Sequence, residues 1–358
     1  MRILLFSAFL LLIIPGLSSA FGYADAKGNG TSIPGYGAVS MGFGGIRAIG
    51  FGNALSVLTN PADIYRIPGT NLTMSIGPGV LTESFMDTTG FHDFNWIALA
   101  NMSAAMKFQV SRKLALGAGI ARVSDFSFEG RYYDRDDITG DITETFELKS
   151  SGGLYESDAG FSWHPESWIN VGFSAGLRFG ETSYDSTYED YSNHNNDTTV
   201  SSGWNESEFC WHAGIIMPLS LSSVGVSWAS ATDHYDARIA AGGILYTGEL
   251  KQGALGIEAE IVDPGDAGNL EVRLIGQIMP SHSLTFRGAL SFIDRNEDVE
   301  SQGFGLSVGT GINFGRLTLN GAFAWSSITR ESLAFSAWDP VDIKLSQSLL
   351  SFGLNWNL

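Results

Sequence analysis

Several long stretches of this sequence alternate large apolar residues with small or polar ones. In Ile169–Phe179 the odd positions read Ile, Val, Phe, Ala, Leu, Phe, and the even ones Asn, Gly, Ser, Gly, Arg. Leu284–Phe292, Phe304–Phe314 and Leu317–Trp325 repeat the pattern. At the end of the chain Leu350, Phe352, Leu354, Trp356 and Leu358 face one way, and Ser351, Gly353, Asn355 and Asn357 the other. A strand has period two, so each stretch has one greasy face and one small or polar face. A soluble sandwich would also alternate, but it would cover its open face with Lys and Glu and use strands of about 5–6 residues. These segments run about 10–16 residues, the length of tilted membrane strands, and aromatics (Trp96, Trp163, Trp168, Phe179, Trp325, Trp356) cluster near their ends. The fold class is therefore all-β: a transmembrane antiparallel β-barrel.

The N-terminus says how such a chain reaches a membrane. Arg2 precedes an apolar run, Ile3–Ile14, interrupted only by Ser7; Pro15-Gly16 breaks it, and Ser18-Ser19-Ala20 offers small residues for cleavage. This is an export signal over residues 1–20, too short for a comfortable spanning helix. No later stretch is long enough to span as a helix, and a closed barrel is the other way to satisfy a backbone in lipid. The expected location is the bacterial outer membrane. Asp plus Glu number 38 against 20 Lys plus Arg, a net charge of −18, which argues against a nucleic-acid partner. The single cysteine, Cys210, excludes an internal disulfide and a Cys-rich zinc site.

Links alternate short and long. Tight ones fall at Ser111–Lys113, His164–Ser167, Pro218–Ser223, Glu249–Gly253, Met279–Ser283 and Gly315-Arg316. Longer ones fall at Leu81–Gly90, Arg131–Asp141, Asp185–Ser202, Ala229–Asp236, Asp263–Gly268, Asp294–Ser301 and Glu331–Asp342. Short inner turns and long outer loops are the barrel habit, and about fourteen strands fit into residues 70–358.

Residues 21–69 do not alternate. Gly37–Ile64 holds glycines at 42, 44, 45, 50 and 52 and then Asn60-Pro61, which stops a local helix. This is a compact plug for the barrel lumen. It resembles the plug (hatch) segment of the FadL/TodX-type hydrophobic-compound transporters and the related PorV-like outer-membrane proteins. The family pattern is roughly Gly-Ala-x-x-x-Gly-Met-Gly-Gly, a variable run, Asp-Asp, then Asn-Pro-Ala-Gly-Leu. Gly37-Ala38, Gly42, Gly44, Gly45, Ala54, Asn60, Pro61 and Ala62 match it; Phe43 replaces the Met, Gly52-Asn53 the acidic pair, Asp63 the Gly and Ile64 the Leu. The last strand also resembles the C-terminal insertion signal of outer-membrane barrels, with Leu358 where an aromatic is usual. The family resemblance implies a fourteen-stranded barrel whose hydrophobic substrates bind in the lumen and leave sideways through a gap in the wall.

Candidate site residues follow. Phe43, Ile46, Ile49, Phe51 and Leu55 are the apolar plug residues placed to meet a ligand or to pack the plug. By alternation Glu258, Glu260, Glu271, Arg273, Arg287, Arg178 and Lys107 point into the lumen. Buried charges must pair, so a Glu–Arg network holding plug and wall is expected, with Arg178, Arg273 or Arg287 suited to a ligand carboxylate. Arg122 stands on the lipid face defined by Leu114, Leu116, Ala118 and Ile120 and continued by Phe126 and Phe128. Either it reaches the interface, or the strand bulges and kinks there and turns it inward. Gly172-Phe173-Ser174-Ala175-Gly176 matches the nucleophile-elbow pattern but lies inside a strand, where that motif has no turn to sit on. His212 and Cys210 share an inward face with no third ligand in view, so no metal site, cofactor or catalytic set is expected. The carboxylates at Asp134–Asp141 and Asp185–Asp197 suit solvated loop charge better than a calcium loop.

The function expected is passive uptake of hydrophobic molecules, fatty acids or hydrocarbons, by a monomer in outer-membrane lipid, with a small hydrophobic ligand as partner. The alternative is a PorV-like accessory barrel that hands exported proteins to a secretion or surface-attachment apparatus. A lipid-acting enzyme lacks a Ser/His/Asp set, and a diffusion porin would be obstructed by the plug.

Overall fold

A computed structural model describes residues 31–50, 53–87, 90–135, 139, 141–248, 252–264, 269–296, 300–332 and 341–358. The export signal read over 1–20 and the candidate Phe51 lie outside them. The barrel strands are β2 (Asn71–Asp87), β3 (Gly90–Gln109), β4 (Leu114–Asp125), β6 (Ile142–Glu166), β7 (Ile169–Asp190), β8 (Thr198–Pro218), β9 (Ser222–Ala229), β10 (Arg238–Thr247), β11 (Gly253–Val262), β12 (Asn269–Ser281), β13 (Leu284–Asn296), β14 (Glu300–Phe314), β15 (Leu317–Ser332) and β16 (Val341–Asn357). Each pairs antiparallel with the next, β4 pairs with β6, and β16 closes on β2, so fourteen strands close into a ring. Two short strands stand outside it. β1 (Thr31–Ser32) pairs with β4, and β5 (Phe128–Arg135) pairs with the outer half of β6.

The alternation read from sequence sets the two faces. Leu255, Phe209, Phe314 and Ile278 on the outer face are more than half exposed, whereas Ser162, Ser174, Asn170 and Ser351 on the inner face are buried. A continuous apolar outer surface of this kind suits lipid, not water. Pro78 in β2 cannot donate to a ladder, and the register shifts there, between Gly77 and Gly79.

Several outer links are shorter than the sequence suggests. β2 and β3 continue to Asp87 and Gly90, and β7 and β8 to Asp190 and Thr198. Outside lipid a ladder needs no greasy face, so these extensions lose the alternation while keeping their backbone bonds. The acidic tip 190–197 is a turn: Asp190 accepts from the Ser192 and Asn193 backbones and from Asn196, and Asp197 accepts from the Asp190 nitrogen at 2.9 Å. Of the other acidic stretch, Asp136 and Asp137 lie outside the described residues.

Residues 33–50 and 53–67 pack against the inward faces of the strands. Helix α1 (Gly37–Met41) is followed by 3-10 turns at Ala54–Leu58 and Pro61–Arg66. Asn60-Pro61 does more than end a helix. Pro61 is the first residue of the last turn, and the Asn60 side chain caps it by accepting from Ala62 N.

Candidate functional site

Residues 33–67 touch the wall on all sides. The Ala38 nitrogen donates to Ser75 Oγ of β2 at 3.0 Å, and Ser162 Oγ of β6 donates to Ala62 O at 2.9 Å. Ser174 Oγ of β7 donates to Val57 O at 2.7 Å, and Asn60 Nδ2 reaches Val226 O of β9 at 3.3 Å. Met41 and Ala38 pack on Ala322, Ala324 and Leu349 of β15 and β16. The small inward residues have a steric reason. A Cβ at Gly172 would overlap the Ala62 backbone, and one at Gly309 would press on Gly42. Gly44 and Gly45 both take positive φ (72° and 85°), which glycine adopts without strain, so the double glycine of the motif turns the chain.

The apolar candidates divide into two clusters. Phe43, Ile46 and Ile49 pack with Ala240, Ile244, Ala289 and their neighbours; Leu55 packs with Val57, Leu58, Ile64 and Phe126. All four candidates are at most 5% exposed. A cavity of about 20 Å³ lies between Tyr36, Phe43, Ile46 and Leu55, room for one water. These side chains are core in this conformation, and a ligand must displace them to bind there.

The inward charges form two groups. In the first, Arg273 bonds Glu258 (3.1 Å), Glu260 (2.6 Å) and Glu271 (2.6 Å). Arg47 of the lumen segment pairs with Glu260 at 3.0 Å, and Arg238 with the same carboxylate at 3.2 Å. Glu258 accepts two backbone N–H bonds, from Arg47 and Ala48, each 2.8 Å. Three arginines and three glutamates thus latch segment to wall. The sequence reading missed Arg47; its signal was an isolated cation in an apolar, Gly-rich run, which must find an inward acid. In the second group Arg178 bonds Glu156 at 2.6 Å and stacks over Tyr235, and His212 meets Glu156 at 2.9 Å and Asp158 at 3.4 Å. Glu156 and Asp158 were also missed, although Tyr155, Phe161 and Trp163 on the opposite phase of β6 already turn them inward. They are the partners that His212 and Cys210 lacked in the sequence.

Arg287 stands apart from both groups. Its Nη1 donates to Asn320 Oδ1 at 3.1 Å, its guanidinium lies 5.7 Å from the Phe43 ring centroid, and its Nε has no hydrogen-bond partner among the described residues. Lys107 instead ties down the end of the lumen segment, bonding Ile67 O, Gly69 O and Gln109.

Arg122 marks an irregular wall. The β4–β6 register shifts between Arg122 and Ser124, so Val123 is an extra residue, a bulge. Arg122, the ladder partner of Tyr155, bonds Asp125 at 2.8 Å and Gly152 O at 2.9 Å. The bulge also inverts the alternation beyond it. Phe126, expected on the lipid face with Phe128, is fully buried and packs edge-on against Trp204; the Phe128 side chain lies outside the described residues. On the other edge of β4 the ladder to β3 runs only from Ser103↔Ala121 to Gln109↔Ala115. Beyond it β3 continues, paired with β2 as far as Gly90, while β4 pairs with β1 at Thr31↔Asp125 and Ser32↔Ser124. Among the described residues, the wall between the outer parts of β3 and β4 is therefore interrupted, with the N-terminal strand set into the interruption.

This architecture recurs in solved structures. A Pseudomonas aeruginosa FadL homologue superposes with a TM-score of 0.67 at 9% identity, over 92% of this chain and 99% of that one. The chain has the FadL-type barrel fold. The P. putida toluene transporter TodX gives 0.67 at 13% identity, over 91% of this chain and 99% of that one. The Ralstonia pickettii toluene transporter TbuX gives 0.61 at 12%, with the same coverage. No protein-family model and no curated protein matches the sequence. The FadL-type fold is thus carried by architecture, not by overall sequence likeness.

Proposed function

We propose that the protein is a bacterial outer-membrane channel for the passive uptake of hydrophobic molecules, long-chain fatty acids or hydrocarbons, exported by a cleaved signal and working as a monomer. The observation that carries this reading is the interrupted wall between β3 and β4 beside an apolar segment packed in the lumen. Residues 21–69 act as the plug. A ligand entering from outside takes the places that Phe43, Ile46, Ile49 and Leu55 hold against the wall. Burying about 300 Å² of ligand is worth about 7 kcal/mol, enough to hold it and modest enough to release it. Movement of the plug then frees the ligand sideways through the wall, past Thr31–Ser32 and the bulge at Arg122. Transport of this kind needs no cofactor and no catalytic residue. The fold is shared with toluene transporters. A carboxylate head group, where the ligand has one, meets Arg287, because Arg178 and Arg273 are already matched by glutamates.

One observation favours the second reading, an accessory barrel for exported proteins: the cavity beside Phe43 is water-sized. Ligand content separates the two. The mature protein, taken from its native membrane in mild detergent and extracted, is expected to yield a fatty acid or hydrocarbon near one per chain by mass spectrometry. An empty barrel co-purifying with exported proteins would support the accessory reading instead.

A further inference from the structure

The cluster on β6, β7 and β8 has no part in the transport reading. Glu156 and Asp158 stand two apart on β6, and Cys210 and His212 two apart on β8, with β7 between them. The ladder row Asp158↔Gly176↔Cys210 explains how they meet. Gly176 places no side chain between its neighbours, so Cys210 Sγ comes to 3.4 Å from Asp158 Oδ1. His212 Nε2 lies 2.9 Å from Glu156 Oε1 and 3.4 Å from Asp158 Oδ2, and one ligand atom from each of the three residues falls within 4.8 Å of the others. The three residues are at most 3% exposed.

Geometry and donor type point the same way. A tetrahedral ion with bonds of about 2.0–2.1 Å sets its donors roughly 3.3–3.4 Å apart, close to the His212–Asp158 separation already present. One imidazole with two carboxylates suits a zinc-like ion, whereas calcium and magnesium take oxygen alone. One guanidinium, Arg178, faces two carboxylates here, and Arg178 Nε holds Glu156 by its other oxygen. We propose that Glu156, Asp158 and His212 form a buried divalent transition-metal site of the zinc class in the barrel wall. Its place gives it a job. Ser174 reaches Asp158 Oδ2 at 3.3 Å and donates to Val57 O at 2.7 Å, so an ion there stiffens the patch of wall on which the Ala54–Leu58 turn rests.

The test uses the full mature chain without a histidine tag. Because the site is enclosed, the protein is refolded into detergent after chelation, with Zn²⁺ or Co²⁺ present, and folding is verified by the heat-dependent gel shift of barrels. Wild type is expected to retain one Zn²⁺ per chain through gel filtration and to give the intense visible bands of tetrahedral Co²⁺. Asp158→Asn and His212→Ala are expected to weaken binding about tenfold or more. Folded wild type that retains neither metal overturns the site, since it leaves an ordinary buried ion pair. Undiminished binding by folded His212→Ala overturns it as well.

Discussion

At the scale of single residues, the latch between lumen segment and wall rests on Glu258. Its carboxylate takes two backbone N–H bonds and an arginine. Glu258→Ala leaves those donors buried without an acceptor, a loss of about 3 kcal/mol or more in docking the segment. The expected outcome is a barrel that still shows the heat-dependent gel shift but conducts more in single-channel recordings; unchanged conductance would mean that the latch does not hold the segment. Arg287 gives a sharper test of ligand chemistry. Arg287→Ala is expected to slow fatty-acid uptake about tenfold while leaving toluene uptake unchanged, since one charged hydrogen bond is worth about 1.5–3 kcal/mol and toluene makes none. Equal loss for both would assign Arg287 to packing. Outside the membrane, His234 stacks on Trp204 with ring centroids 4.2 Å apart, and burial draws its imidazole below the usual value. The folded state then binds fewer protons than the unfolded one. The stacking contribution is complete above about pH 6.5 and is lost as pH falls through the lowered value. Trp204 fluorescence in the full protein should change reversibly on acidification, and His234→Phe should abolish the change.

At the scale of elements, the bulge at Val123 decides how β4 leaves β3 and pairs onward with β6 and β1. Deleting Val123 removes the extra residue and lets the β4–β6 ladder run without a shift. Uptake is then expected to fall at least tenfold in a barrel that still inserts, as judged by surface labelling; wild-type uptake would show that the wall interruption is not the exit. The same bulge shows what the sequence could and could not reveal. Strands such as β7, β14 and β15 were legible because period two survives along their whole membrane length. Phe126 was misplaced because one inserted residue flips every side chain beyond it, and nothing local distinguishes Val123 from a regular strand residue. The outer extensions of β7 and β8 were read as loops for a related reason: Ser186–Asp190 and Thr198–Ser202 carry no apolar face, although their backbones pair. In the candidate site, glycines such as Gly44 and the cap Asn60-Pro61 announced the lumen segment, since backbone geometry demands those residue types. The partners of His212 did not announce themselves. Glu156 and Asp158 lie more than fifty residues away and meet it only through the pairing of β6, β7 and β8.

At the scale of the whole molecule, the barrel has an inverted design. Its large apolar residues face outward, and its interior is small and polar until residues 33–67 fill it. The wall glycines at 172, 214 and 309 are shaped by that segment as much as by the sheet. Opening a path for a ligand therefore means moving the segment, and leaving sideways means passing the place where β1 pairs with β4. On the proposed route, hydrophobic molecules pass between β3 and β4 when β1 gives way. The direct measurement is uptake of a labelled long-chain fatty acid and of toluene by cells carrying either the wild type or a Ser32→Cys/Ser124→Cys variant in a Cys210→Ser background. Ser32 and Ser124 are cross-strand partners, so oxidation fixes β1 to β4. Uptake of at least one of the two compounds is predicted to be fast in the wild type, blocked in the oxidised variant and restored by reductant. No acceleration by the wild type, or equal rates before and after reduction, would contradict the account.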